Sequence, residues 1–344
     1  MVKSYRKMSL LTAGAIALFS CVLATPAFAA EAVVNLKYSN FLPPLHAQSV
    51  LIDQWGKELE KRTNGRVKVR QFAGNTLTTA NQTYDGVVKG ITDIGFSILS
   101  YTPGRMPLSE VLTLPLGVKS GYQASHLANA FYKKFKPKEL DDVKIFFLMG
   151  PGPFIWHSKN LIAKMDDLKG VRFKSDANTS KIVAAAGATP TTMPMSETYD
   201  AMKRGLADGV YNPVETLKGW KFSDVSGFTW ENYASASTNS FFVAMNMEKW
   251  NSLPKDIQQI MEKLNEEWFE KHARAWSEVD DESREWSIKK GHKFTKASAE
   301  DEATMRARMK PVLDAYVSDM KAKGLPGEDA LKFCLDFVKN APAK

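Results

Sequence analysis

The reactive residues of this chain lack the spacings that catalysis or metal binding needs. Its histidines, His46, His126, His157, His272 and His292, show no metal-ligand spacing. There is no Gly-x-Ser-x-Gly, no His-Glu-x-x-His, no cysteine pair and no phosphate-cradling glycine loop. The acidic pairs Asp141-Asp142 and Asp280-Asp281 read as solvated turns. No catalytic residue, metal ligand or cofactor is therefore assigned. What remains is non-covalent chemistry. Lys174 and the run Tyr211-Asn212-Pro213 fall where strand-like segments end, and they supply a cation, a ring and an amide. Arg172 lies two residues before Lys174, on the same face by strand alternation.

The elements that must position these groups lie between Leu168 and Pro213. Val171-Arg172-Phe173 alternates as a strand, and Lys174-Ser175-Asp176 leaves its end. Thr179 to Ala186 reads as a helix closed by Gly187, which suits a left-handed cap. Thr191-Thr192-Met193 is a second strand. A helix opening at Ser196-Glu197 ends near Gly205, and Gly209-Val210-Tyr211 begins a third strand. Strands alternating with short helices predict a parallel sheet, with ligands held in the crevice outside the strands' carboxyl ends.

The same alternation runs through the first hundred residues. Val33 to Ser39 is a strand, and Phe41 to His46 is a loop. Gln48 to Thr63 is an amphipathic helix with Leu51, Trp55 and Leu59 on one face. Arg66 to Phe72 is a second strand, and Gly74-Asn75 forms its end loop. Asn81 to Lys89 is helical. Asp93 to Ile98 is an apolar strand that runs out into Ser100-Tyr101. Tyr84-Asp85, Gly90 and Asp93 recur at the same spacings as Tyr199-Asp200, Gly205 and Asp208. The repeat predicts two similarly built α/β lobes with a ligand cleft between them.

The expected boundaries follow. Residues 30–152 form a first lobe, to which about 241–270 return, and 153–240 form a second lobe that also takes part of the C-terminal helices. Val143 to Leu148 ends the first lobe. The aromatic strand Phe154-Ile155-Trp156-His157 enters the second, and Phe241-Phe242-Val243-Ala244-Met245 goes back. Two such crossings make a hinge. A helix over 254–290 reaches roughly 50 Å at 1.5 Å per residue, longer than one small lobe. Further helices fill 291–344.

Lys3, Arg6 and Lys7, the apolar run Leu10 to Ala24 and the small-x-small site Ala27-Phe28-Ala29 predict a cleaved secretory signal over residues 1–29 and a periplasmic location. Cys21 leaves a lipoprotein reading open. Cys334 is then the only other cysteine, so an exported protein must hold together without a disulfide, on a composition that is 44% hydrophobic. The formal charge of +8 falls to about +5 without the three leader cations. The basic residues are scattered among acids, which argues against a nucleic-acid partner.

Several motifs together resemble the solute-binding proteins of tripartite ATP-independent periplasmic (TRAP) transporters, of the dicarboxylate-binding type. They include Asp167-Leu168-Lys169-Gly170, Gly187-Ala188-Thr189-Pro190, Met193-Pro194-Met195, Glu197-Thr198-Tyr199 and Gly205-x-x-Asp208-Gly209-x-x-Asn212-Pro213. Gly65-Arg66-Val67-Lys68-Val69, Phe72-x-Gly74, Gly90-x-x-Asp93, Leu114-Pro115 and Trp250-x-x-Leu253-Pro254 extend the likeness over nearly the whole chain after the leader. The resemblance implies a two-lobed periplasmic binding protein fold, with hinge strands and a long helix bracing both lobes. It also implies a monomer that encloses a small organic anion in its cleft and passes it to TRAP-type membrane permease subunits.

In that family an arginine at the end of the strand after Leu-Lys-Gly typically grips the ligand carboxylate. Here the matching position holds Lys174, a point charge without the planar fork. A second family arginine, on the strand before Lys159, also has no counterpart in Pro153-Phe154-Ile155-Trp156. Aromatic residues take over: the resemblance puts Trp156 and Tyr211 on the crevice, with Phe154, Tyr101 and Phe41 near strand ends. The expected ligand set is Lys174, Asn212, Trp156, Tyr211, Tyr101, Phe41, Asn75, Arg172 and Asn239. It favours a monocarboxylate or other organic anion, including an aromatic one, over succinate-like acids. An aromatic cage for an amine, a periplasmic ligand sensor and an exported enzyme are the alternatives, and Lys174 would repel an amine.

Overall fold

A computed structural model describes residues 33–343. The predicted leader and Cys21 lie outside the described residues. β1 (Val34–Asn40) leads through α1 (Ala47–Arg62) to β2 (Val67–Phe72), α2 (Thr83–Val88), β3 (Ile94–Ile98), α3 (Gly121–Phe135) and β4 (Val143–Met149). Then come β5 (Ile155–Ser158), β6 (Arg172–Ser175), α4 (Ser180–Ala185), β7 (Thr189–Thr192), α5 (Met195–Lys203), β8 (Gly209–Asn212), α6 (Thr216–Gly219) and β9 (Phe228–Glu231). The chain finishes with β10 (Phe241–Asn246), α7 (Met247–Ser252), α8 (Lys255–Lys289), β11 (Lys293–Lys296), α9 (Ala299–Ala322) and α10 (Gly327–Asn340).

The strands form two sheets, one per lobe of an α/β fold, in the orders β2-β1-β3-β10-β4 and β11-β9-β5-β8-β6-β7. β1 pairs in parallel with β2 and β3, and β6 in parallel with β7 and β8. The chain leaves the first sheet after β4. It returns as β10, which inserts antiparallel between β3 and β4. Every residue of β10 is buried, which is why the apolar run from Phe241 to Met245 shows no alternation.

The Tyr-Asp…Gly…Asp repeat corresponds to one structural device used twice. The N–H groups of Lys89, Gly90 and Ile91 donate to the carbonyls of Asp85, Val87 and Gly86. Those of Arg204, Gly205 and Leu206 donate in the same way to Asp200, Met202 and Ala201. Gly90 and Gly205 take φ of 69° and 77°, left-handed values that glycine adopts without steric cost. Asp93 then accepts the N–H of Lys37 at 2.7 Å, and Asp208 that of Arg172 at 3.1 Å, clamping each new strand to its neighbour.

α8 has 35 residues and buries Ile257, Met261, Leu264, Trp268 and Trp276. It packs on α1, α3 and β4 and on α6, and so braces both lobes. It passes through Asp280-Asp281 without interruption, which corrects the expected solvated turn. Asp280 lies one helical turn beyond Trp276 on the buried face. Its carboxylate accepts the N–H of Glu215 at 2.7 Å, and burial pushes its pKa well above the ordinary carboxylate range. Gly121 at the start of α3 touches this helix closely: a Cβ there would lie 2.4 Å from Trp276 Cβ.

α3 and the short strands β9 and β11 had no counterpart in the sequence patterning. α9 ties the lobes together a second way. Asp301 accepts the N–H of Met165 near one end, at 2.9 Å, and the Tyr316 hydroxyl donates to the Leu108 carbonyl near the other, at 2.8 Å.

Candidate functional site

Side chains from the two sheets and from α8 line a narrow cavity of about 40 Å³. Contacts reach across the space. The hydroxyl of Tyr101, just after β3, accepts the N–H of Met195 at the start of α5, 3.1 Å away. His46 meets Glu215, with His46 Nε2 3.2 Å from Glu215 Oε2. The rings of Phe41 and Trp220 stack at 6.3 Å.

One end of the cavity carries the cation. Lys174, opposite Thr191 and Val210 in β6, is 3% exposed. Its ammonium lies 3.6 Å from Met195 Sδ, and no other hydrogen-bond partner reaches it among the described residues. The Asn212 amide N–H points at the same sulfur, 3.7 Å away, and Asn212 Oδ1 is buried with no partner. A thioether is a weak acceptor, so both donors remain largely unmatched. Burial pushes the Lys174 pKa down to about 8, with the charge of Asp176 opposing the fall. Asp176 is itself committed. Its Oδ1 accepts the N–H groups of Asn178 and Thr179, both at 3.0 Å, and its Oδ2 accepts from Asn239 Nδ2 at 2.9 Å. Ser100 donates to Asn239 Oδ1 at 3.2 Å and holds that amide in place.

The other end is aromatic. Phe41 lies edge-on to Tyr101 at 5.8 Å and parallel to Phe241 at 6.1 Å. Phe241 packs on Trp276 at 5.1 Å, and Trp276 on His46 at 5.7 Å. A continuous apolar wall thus runs from the hydroxyl of Tyr101 to the His46–Glu215 pair. The arrangement can hold a carboxylate at Lys174 and Asn212 and cover the ligand's body with rings.

Of the nine expected residues, Phe41, Tyr101, Lys174, Asn212 and Asn239 line this cavity. Trp156 and Tyr211 do not, which corrects their expected place on the crevice. They are cross-strand partners in β5 and β8, 4.7 Å apart, and both are fully buried with Phe173 and Trp230. Trp156 Nε1 donates to Ser235 Oγ at 3.0 Å, and the Tyr211 hydroxyl to the Ser235 carbonyl at 2.5 Å. Period-two alternation is the reason: Asn212 faces the cavity, so Tyr211 beside it faces the opposite side of the sheet.

Arg172 shares the face of Lys174 but sits at the far end of β6. There its guanidinium grips Asp208 through two bonds of 2.8 Å. Asn75 is not among the lining residues; it takes a left-handed conformation beside Gly74, whose N–H donates to the Leu42 carbonyl at 2.9 Å.

Met195, Asp176, Glu215, Trp220, Phe241 and Trp276 also line the cavity and were not in the expected set. Asp176 carried a signal, since it follows Lys174 by two residues. Met195 carried another, in the Met-Pro-Met motif. Trp276 carried none, because only the crossing of α8 brings it there.

Residues 38–319 match the sequence profile of the DctP family, the bacterial extracellular solute-binding proteins of family 7. Among solved structures, a TRAP periplasmic solute-binding protein from Desulfovibrio salexigens is 32% identical. It superposes with a TM-score of 0.80, over 91% of this chain and 98% of that one. One from Bordetella bronchiseptica with bound (R)- and (S)-mandelate is 27% identical, with a TM-score of 0.82, over 90% of this chain and 100% of that one. One from Rhodoferax ferrireducens with copurified benzoate is 25% identical, with a TM-score of 0.83, over 89% and 98%.

Proposed function

The chain belongs to the bacterial extracellular solute-binding proteins of family 7, and from that premise we propose that it captures a small monocarboxylic acid with an aromatic body. The carrying observation is the buried Lys174 ammonium, whose hydrogen-bond partner among the described residues is a thioether at 3.6 Å. A buried cation without a carboxylate is costly, and a ligand carboxylate relieves that cost. Lys174, Asn212 Nδ2 and the Tyr101 hydroxyl supply the donors. Phe41, Trp220, Phe241 and Trp276 supply the apolar cover. The similar proteins that hold mandelate and benzoate support this choice of acid.

Among the lining residues Lys174 is the only lysine or arginine, while Asp176 and Glu215 are acidic. A second ligand carboxylate would meet like charge, so a succinate-like diacid fits poorly. The protein acts outside the cytoplasm, exported by the predicted leader and working as a monomer. It delivers its acid to TRAP-type permease subunits, without catalysing a reaction. No described helix is long and apolar enough to cross a membrane.

A thermal-shift screen of aromatic monoacids, aliphatic diacids and amines tests the reading, since a ligand bound only by the folded state raises the melting temperature. Aromatic monoacids are expected to stabilise most. Stabilisation by succinate or by amines, with none from aromatic acids, would overturn it.

A further inference from the structure

We propose that Glu215, oriented by His46 and joined by the indole of Trp276, forms a second recognition point that selects a ligand carrying a hydroxyl group opposite its carboxylate. The inference rests on the carboxylate reading of the Lys174 end and adds the chemistry of the other end.

Three observations carry it. Glu215 is 4% exposed and lines the cavity. Its Oε2 pairs with His46, and its Oε1 has no hydrogen-bond partner among the described residues. The tautomer of His46 follows from its second nitrogen. Nδ1 accepts the Gln48 N–H at 3.2 Å as the cap of α1, so Nε2 carries the proton and donates it to Glu215. A neutral imidazole in this pair leaves the carboxylate's charge in place, ready to accept a further hydrogen bond. Lastly, Trp276 also lines the cavity, and its buried indole N–H has no acceptor among the described residues.

An unmatched acceptor and an unmatched donor at one end call for a group that can do both. A hydroxyl donates to Glu215 and accepts from Trp276. An arylamine donates but accepts poorly, and a second carboxylate is repelled. Ring contacts from Tyr101, which meets Met195 at the Lys174 end, run through Phe41 and Phe241 to Trp276 at this one. Discrimination by a buried polar pair of this kind is strong, because an analogue without the hydroxyl leaves both groups unpaired.

Calorimetry with benzoate, 3-hydroxybenzoate, 4-hydroxybenzoate, 3-aminobenzoate and isophthalate tests the inference on the unmodified protein and on Glu215→Ala and Glu215→Gln. One hydroxybenzoate is expected to bind the unmodified protein at least about tenfold more tightly than benzoate, with the amine between them and isophthalate weakest. In Glu215→Ala that preference should fall below about threefold. Equal affinity for benzoate and both hydroxybenzoates in the unmodified protein overturns the inference and leaves the carboxylate reading standing. A preference that survives in both variants overturns it too. If none of these acids binds, the carboxylate reading falls and this inference with it. Comparison of the acids on the unmodified protein needs no variant to fold.

Discussion

The ammonium of Lys174 lies 3.6 Å from the sulfur of Met195, and that thioether is all the hydrogen bonding it has among the described residues. Met195 is fixed from the other lobe as well, its N–H donating to the Tyr101 hydroxyl at 3.1 Å. The contact therefore puts the Lys174 charge at the seam between the lobes. A ligand carboxylate that displaces the sulfur would engage both sides of the cleft.

Lys174→Ala is expected to weaken binding of any carboxylic ligand by at least about tenfold, the scale of a lost charge-assisted hydrogen bond. Lys174→Met, closer in volume, should do the same while keeping the melting temperature. Calorimetry on both variants measures the effect, and unchanged affinity in either would remove Lys174 from the site.

Burial pushes the Lys174 pKa down to about 8 in the ligand-free protein. A carboxylate binds the charged form, so affinity should be flat below that value. Above it, affinity should fall by up to about tenfold per pH unit as the ammonium is lost. The ligand raises the Lys174 pKa, so binding near pH 8 must take up protons. Titrations in buffers of different ionisation heat detect that uptake, and an affinity level from pH 7 to 9 would contradict the assignment.

Arg172→Ala should leave ligand affinity within about twofold, since the Asp208 pair keeps the guanidinium at the other end of β6. Its effect belongs to the pairing of β6 with the turn before β8. A tenfold loss of affinity would show that Arg172 reaches the ligand after all.

Trp156 and Trp220 should separate stability from binding. Trp156 is fully buried in the second sheet's core, and Trp156→Ala is expected to cost about 3–5 kcal/mol in urea unfolding. Trp220 is only partly buried and faces the cavity, so Trp220→Ala should lower affinity with a much smaller stability loss. The reverse pattern would show that Trp156 meets the ligand and that Trp220 belongs to the core.

Gly121→Ala drives a methyl group to 2.4 Å from Trp276 Cβ and 2.9 Å from its backbone carbon. α3 and α8 must move apart, at a cost of about 1–3 kcal/mol for overpacking. Trp276 forms part of the cavity wall, so affinity should fall along with the melting temperature. A variant with native stability would mean that the helices accommodate the methyl group freely.

Much of the fold was legible in local signals. The glycines after α2 and α5 mark their turns, and the aspartates three residues later mark the strands they clamp. Both are short-range backbone devices, and they recur because the two lobes solve the same problem. Asp280-Asp281 misled for the complementary reason. A charged pair usually marks solvent, and only the packing of α8 beneath Glu215 gives Asp280 a buried backbone donor to meet.

The sequence by itself determined two α/β lobes, the long helix and the strand end where Lys174 and Asn212 emerge, because periodicity, caps and turn residues act within a few positions. The tertiary structure alone decided which rings face the cavity. A shift of one residue along a strand exchanges one face of the sheet for the other, which turned Trp156 and Tyr211 into the core. Trp276, Phe241 and Glu215 reach the cavity from three different segments, and only long-range packing unites them. The stretch from Leu168 to Pro213 supplies the cation and the amide at one end of the cavity, and the closure of the fold around it supplies the rings.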